Sequence, residues 1–420
     1  MGLREMTLDQ VKALGITGYS TSILLRLGVW EPSWSQEQRA PGHVERLDHL
    51  RSTVKHYMAQ AFPDDLEDMD SGITETDFED SVEYGERFNA MVQATGGTFA
   101  IEDNPSNYLI FSDGELVGTY PGPSNSEFPY LWGPVNPMHQ DMHQMDHEWW
   151  TDPVIGAHTQ RNIFTAGYAP DDPAAEDVYD AVRRMHAEGV ERVFIKSMQF
   201  KVTAATEYTE TVVDALDAGK MDPLDIILLN REGHSKVYIV QHFIPMQWEM
   251  RFMVVNGEVI SGAASVEDHT PLDRIGSKNV VGVSNALMKQ RRYGPDDTVL
   301  NKEVASALES AARGIVANYF QEHGKALWNC SLDMCMTEDK DTGEFTVPTV
   351  VELNDLSNSG LYANDVEAVA QAIFDGAKNG VFEREFNEAI TKHQSEPTWV
   401  QCYEEQFDQP LPLGAYEDDM

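Results

Sequence analysis

The sequence predicts an α+β protein of two or three domains, and three observations carry the prediction. A length of 420 residues, 41% of them hydrophobic and eight of them tryptophan, supplies ample material for a large core. Stretches of helical apolar periodicity are separated by short β-branched and aromatic runs. Two pairs of those runs meet at turn dipeptides, Asp113-Gly114 and Asn256-Gly257, as antiparallel hairpins do.

Composition narrows the function classes. Thirty Lys and Arg against 70 Asp and Glu leave a net charge of −40, a field that repels phosphate backbones and argues against general nucleic-acid binding. Such acidity suits a surface solvated at high salt and equally a phage-like composition. Charged residues interrupt every apolar run well before the roughly 18 residues of a membrane span. The opening MGLREMTLDQVKALG has no secretory apolar stretch, so a cytoplasmic protein without membrane association is expected. Cys330, Cys335 and Cys402 show no zinc or redox spacing and read as thiols.

In chain order, LDHLRSTVKHYMAQAF has helical periodicity, and the acidic run PDDLEDMDSGITETDFEDSVEYGERF after it reads as a solvated face or loop, its carboxylates following no fixed ligand spacing. GTFAIED and NYLIFSDGELVGTYPG are strands, the second folded at Asp113-Gly114. The Pro- and Gly-rich PGPSNSEFPYLWGPVNPMHQ is a long loop or boundary, by position a candidate acceptor-binding segment and by composition a mere connector. A helix is predicted from Asp172 as N-cap, with Pro173 in its first turn, a stripe of Val178, Val182 and Met185, and Gly189 at its end. ERVFIKS and SKVYIVQHFI follow as strands, then the hairpin EMRFMVV-NG-EVISGAA, the helix KEVASALESAARGIVANYFQEHG and the hairpin ALWNCSLDMCM…EFTVPTVVELN. A last helix starts at Asn364, with Glu367 as its capping partner and Val366, Val369, Ile373 and Phe374 packing inward. The domains read as 1–171, 172–248, 249–395 and an acidic tail, 396–420.

Several groups suit chemistry. With a two-residue turn at Thr342-Gly343, Asp333 faces Glu352, and Asn354 shares the face of Glu352. Three oxygen donors without His or Cys suit magnesium; read alone, they suit a solvated hairpin face equally well. Arg251 shares a strand face with Glu249 and Met253, where its fork reaches phosphate or carboxylate oxygens or pairs with Glu249. Lys196 ends a strand and Lys201 follows five residues on, a phosphate-binding arrangement or two surface lysines. His139, His143 and His147 recur every four residues beside Asp146 and Glu148, matching a zinc or nickel site or a polar face.

The order of these motifs, a lysine strand, then QHFIPMQWEMR, then an Asp, then Glu-x-Asn, resembles the ATP-grasp superfamily in a divergent branch of the kind found in phages. The resemblance spans about 172–377, and SMQFKVTAATEY stands where the family has a glycine-rich phosphate loop. It implies two α+β subdomains clasping ATP in the C-terminal half, behind an N-terminal α/β region for substrate recognition. It implies that Lys196 and Lys201 contact phosphates, that Gln241, His242, Phe243 and Ile244 form the adenine hinge, and that Glu249 is a candidate for the ribose. Asp333, Glu352 and Asn354 would hold Mg²⁺, or Mn²⁺ in its place, with Arg251 and Lys196 catalytic. The implied activity is an ATP-dependent carboxylate-amine ligase acting through an acyl phosphate, its carboxylate and amine unspecified, in a chain that forms a homodimer as such relatives often do. A kinase on the same fold, or a nucleotide-binding pseudoenzyme, is the alternative.

Overall fold

The computed structural model describes residues 3–16, 19–21, 41–63, 78–104, 107–121, 149–167, 176–197, 204–220, 237–244, 246–266, 269–274, 282–285, 287–289, 298–327, 329–339, 342–356 and 359–378. The elements in chain order are α1 (Leu8–Ala13), β1 (Tyr19–Thr21), α2 (Pro41–Ala61), α3 (Phe78–Thr95), β2 (Phe99–Asn104), β3 (Asn107–Ser112), β4 (Glu115–Tyr120) and α4 (Pro153–Gly156). Next come β5 (Ile163–Gly167), α5 (Val178–Ala187), β6 (Arg192–Ser197), β7 (Ala204–Tyr208), α6 (Thr209–Asp217), β8 (Val237–His242), β9 (Trp248–Val255) and β10 (Glu258–Ala264). The chain continues through β11 (Gly282–Asn285), β12 (Leu287–Lys289), β13 (Thr298–Leu300), α7 (Lys302–His323), β14 (Cys330–Met336), β15 (Thr349–Asp355) and α8 (Val366–Lys378). It is an α+β protein of two compact units, one formed by 1–136, 248–336 and 352–420, the other by 137–247 and 337–351.

In the first unit, one sheet runs β1-β2-β3-β4, parallel between β1 and β2 and antiparallel elsewhere. Asp113 (φ 51°) and Gly114 (φ 85°) make the expected turn between β3 and β4. The second sheet runs β11-β10-β9-β14-β15. Its β9–β10 hairpin turns at Asn256 (φ 52°) and Gly257 (φ 71°), and a Cβ on Gly257 would lie 2.9 Å from the Ala326 side chain. Glycine is therefore required there for both conformation and space. Tyr57, Phe88, Phe99 and Phe111 pack together, with Tyr57 edge-on to Phe88 at 5.4 Å, and join Val255, Val366, Ile373 and Phe374 in one core.

The acidic run departs from its reading as a solvated face at its C-terminal end, which belongs to α3. Residues 64–77 lie outside the described residues, but Glu86 and Arg87 are buried in the helix that follows. Glu86 takes the guanidinium of Arg46, which also reaches Glu367 at 3.1 Å, so cationic partners let this face go inside. A second correction concerns α8. Its N-cap is Asp365, whose carboxylate accepts the Ala368 N–H at 3.1 Å and pairs with Arg274; Asn364 instead donates to the Leu361 carbonyl at 2.9 Å.

The second unit holds the antiparallel sheet β5-β8-β6-β7 with α5 and α6. Val178, Val182 and Met185 are buried against Val193, Ile195, Tyr238 and Val240, the stripe that the periodicity predicts. The described helix starts five residues later than expected: Asp177, not Asp172, caps it, accepting from Tyr179 N–H at 2.8 Å. Asp172 and Pro173 lie outside the described residues. The hairpin tip between β14 and β15 is also longer than a two-residue turn at Thr342-Gly343. Asp339 and Glu344 close it by a 2.8 Å backbone bond, and Asp339 Oδ1 accepts the Thr342 N–H at 2.8 Å. Glu338 therefore faces Phe345, where the shorter turn would set it opposite Val347. Among the described residues no helix is long and apolar enough to cross a membrane.

Candidate functional site

Within the first unit, β9, β14 and β15 are neighbours, and their sequences bring the predicted metal and arginine residues to one region. Arg251 stands directly across from Asp333 in the β9–β14 register. Both are buried, at 3% and 1% exposure, and the fork is bidentate: Nε donates to Oδ1 at 2.7 Å and the terminal nitrogen to Oδ2 at 2.6 Å. The partner of Arg251 is thus Asp333 rather than Glu249. Burial by itself would lower the pKa of Arg251, but the adjoining Asp333 carboxylate outweighs it and the guanidinium stays firmly charged. On β15, Asn354 Nδ2 donates to Glu352 Oε1 at 2.8 Å. Glu249, half-buried on β9, pairs across the ladder with Cys335.

The loop after β15 closes around the same arginine. Arg251 donates through its other terminal nitrogen to the Gly360 carbonyl at 3.0 Å, and its guanidinium lies 4.9 Å from the centre of the Tyr362 ring. Tyr362 has φ 47°, the left-handed region that a bulky residue rarely occupies. The loop is held from α3: Glu83 Oε1 accepts the N–H groups of Leu361 at 2.6 Å and Tyr362 at 3.1 Å, while Arg87 donates to the Ser359 carbonyl. The Ser331 and Ser359 hydroxyls bond to each other at 2.7 Å. Burial pushes the Glu83 carboxyl above its usual range, against the pull of Arg87, the two N–H groups and Arg251. Burial also raises the Tyr362 phenol to about 12; Arg251 opposes this and nearby carboxylates add to it, so the hydroxyl stays protonated at ordinary pH.

The sequence pattern singles out Arg251, Asp333, Glu352 and Asn354, and the structure gathers Glu83, Arg87, Ser359 and Tyr362 around Arg251, which the pattern does not single out. Glu83 and Arg87 did leave a signal, since they lie four apart on a helix whose other face carries Val82 and Phe88. That signal was submerged in the surrounding carboxylates. Among the described residues no group of three or more His, Cys, Asp or Glu side chains gathers; the candidate set has two carboxylates and one amide.

In the second unit, Lys196 lies on β6, opposite Ala204 on one side and Ile239 of β8 on the other. Gln241 Oε1 accepts from Arg161 Nε at 2.9 Å, and that arginine also donates to the carbonyls of Val350 at 2.7 Å and Val351 at 2.6 Å. His242 ends β8 with a buried Nε2 that has no hydrogen-bond partner among the described residues, and burial lowers its pKa below the ordinary value. Phe243 donates its N–H to the Arg192 carbonyl at 3.0 Å and lies under that guanidinium at 4.2 Å, and Ile244 is half-buried beside it in sequence. Lys201, His139, His143, His147, Asp146 and Glu148 lie outside the described residues, as does Cys402; Cys330 and Cys335 are buried.

No protein-family model matches the sequence, and no characterised protein matches it by sequence. Solved structures do show similarity. D-alanyl-alanine synthetase A from Vibrio cholerae aligns at a TM-score of 0.40 and 11% identity over 71% of this chain and 93% of that one. A RimK domain ATP-grasp protein from Sphaerobacter thermophilus aligns at 0.28 and 15% identity over 56% and 65%. The macrocyclase MdnC from Microcystis aeruginosa, bound with its precursor peptide, aligns at 0.31 and 12% over 60% and 64%.

Proposed function

We propose that the chain is an ATP-grasp ligase, activating a carboxylate as an acyl phosphate and joining it to an amine. The observation that carries this reading is the buried Arg251–Asp333 pair beside the Glu352–Asn354 pair on adjoining strands of one sheet. In the sequence these residues follow Lys196 and the segment Gln241–Ile244 in the order that the family uses.

The donor set fits a hard divalent cation. Asp333, Glu352 and Asn354 offer oxygen ligands only; both Asp333 oxygens accept from Arg251, so it would reach a cation through its remaining lone pairs, with Glu352 and Asn354 supplying the rest. When bound, magnesium would neutralise charge on the nucleotide phosphates. Arg251, its plane fixed by Asp333 and the Gly360 carbonyl, would stabilise charge on the transferring phosphoryl group. Lys196, with Lys201, would bind phosphate oxygens; Gln241, His242, Phe243 and Ile244 would receive the adenine, and Glu249 the ribose. The substrate carboxylate oxygen would attack the γ-phosphorus, forming one P–O bond as the bond to ADP breaks. The amine would then attack the acyl carbon, phosphate would leave, and the nitrogen would lose a proton. Positioning and charge neutralisation suffice for both steps, without a protein nucleophile.

Thermal unfolding with magnesium alone, ATP alone and both tests the reading, because a ligand of the native state raises its stability. The expected outcome is a rise in Tm that needs both and is lost in Glu352→Ala. An unchanged Tm under all three conditions, or an equal rise in the variant, would overturn the nucleotide site or the role of Glu352 in it.

A further inference from the structure

The loop of residues 359–362 has side-chain anchors on five of its eight backbone N–H and C=O groups. Arg87 takes the Ser359 carbonyl, Arg251 the Gly360 carbonyl, Asn364 the Leu361 carbonyl, and Glu83 the N–H groups of Leu361 and Tyr362. Two consecutive N–H groups converging on one carboxylate oxygen form a small anion-binding concavity, here filled from within the chain. The residue so held is a tyrosine at φ 47°, a conformation that surrounding contacts must enforce. Its consequence is local: the ring is brought over the guanidinium of Arg251. Arg251 is thereby enclosed by Asp333 along its fork, by the Gly360 carbonyl at the remaining nitrogen, and by an aromatic ring. Glu83 and Arg87 come from α3, which precedes the stretch 172–377 that carries the family resemblance.

We propose that Glu83 is a positioning residue: by holding Tyr362 in its left-handed backbone, it keeps the ring over Arg251 and fixes the guanidinium for phosphoryl transfer. The functional half of this inference rests on the ligase reading; the structural half does not. An N-terminal helix would thus supply part of the order that the arginine needs, and a misplacement of about 1 Å in such a group is enough to lower turnover on the order of a hundredfold.

The experiment uses the full chain and two readouts. The first is the Arg251 Nε–H resonance, assigned by its disappearance in Arg251→Lys and sensitive to the overlying ring. The second is magnesium-dependent release of phosphate from ATP to water, the acceptor present in every assay, separated into kcat and KM for ATP. Glu83→Ala is expected to move the resonance and to lower kcat on the order of a hundredfold, with KM within about twofold. Glu83→Gln, whose amide oxygen accepts the same two N–H bonds, recovers the larger part of both. Tyr362→Gly, which suits the positive φ, retains the fold and loses both, whereas Tyr362→Phe recovers most of each. An unmoved resonance in Glu83→Ala, equal losses in Glu83→Gln and Glu83→Ala, or normal turnover in Tyr362→Gly would overturn the proposal. Should Glu83→Ala fail to fold, Glu83→Gln and Tyr362→Gly decide it. Should the wild type release no phosphate to water, the resonance alone settles whether Glu83 orders Arg251, and the ligase reading stands or falls on the rise in Tm with magnesium and ATP.

Discussion

Removing the carboxylate of Asp333 while leaving Arg251 in place would strand a buried charge, and Asp333→Leu should cost about 3–5 kcal/mol of stability. Replacing both, as in Arg251→Met with Asp333→Leu, should return much of that loss, because an apolar pair of similar volume escapes desolvation. Urea unfolding of the two variants measures the difference; a double variant less stable than the single one would refute it. The same pair explains what was readable at this scale. Oxygen donors spaced along two strands, and an arginine after a turn dipeptide, are visible in sequence. That Arg251 would pair with Asp333 rather than with Glu249 depended on β14 lying against β9, a long-range contact. Glu83 was less visible still: a carboxylate bound to backbone N–H groups and one facing water look alike among so many acids.

Whole elements follow their periodicity well and their ends less well. The apolar stripes of α5 and α8 hold, while both caps fall on a later Asp, at Asp177 and Asp365, since several capping residues crowd each start. The cap of α8 gives a graded test: Asp365 both caps the helix and pairs with Arg274, so Asp365→Ala should cost about 3–5 kcal/mol and Asp365→Asn, which keeps the cap, about 1 kcal/mol less. Equal losses in thermal melts would show that the cap contributes nothing. At the end of β8, burial depresses the pKa of His242, so the unfolded chain binds more protons than the folded one just below the ordinary imidazole value of 6.5. Stability contributed by neutral His242 is therefore present above that value and falls as pH drops through it. His242→Gln should flatten the pH dependence of Tm between about pH 5 and 7; an unaltered slope would place the titration elsewhere.

For the molecule as a whole, the net charge of −40 works against compactness by self-repulsion. Raising monovalent salt from about 0.01 M to about 0.15 M shortens the screening length from ~30 to ~8 Å and should raise Tm, while the buried Arg251–Asp333 pair is screened little and keeps its strength. A Tm that falls with salt would mean that attractive surface pairs outweigh the repulsion. The α+β class was legible from alternating periodicities, but not the division of the chain into two units, each assembled from segments distant in sequence. Contacts between such segments leave no local pattern.

The two buried thiols of β14 have a practical consequence. Cys330 and Cys335 bracket Asp333 on a single interior strand, and among the described residues neither forms a disulfide. A thiol reagent can react with them only when that strand opens, so their modification rate is a clock for the opening of the segment that carries Asp333. Any compound that slows the clock has been bound by the closed state, and it can be found before its chemistry is known.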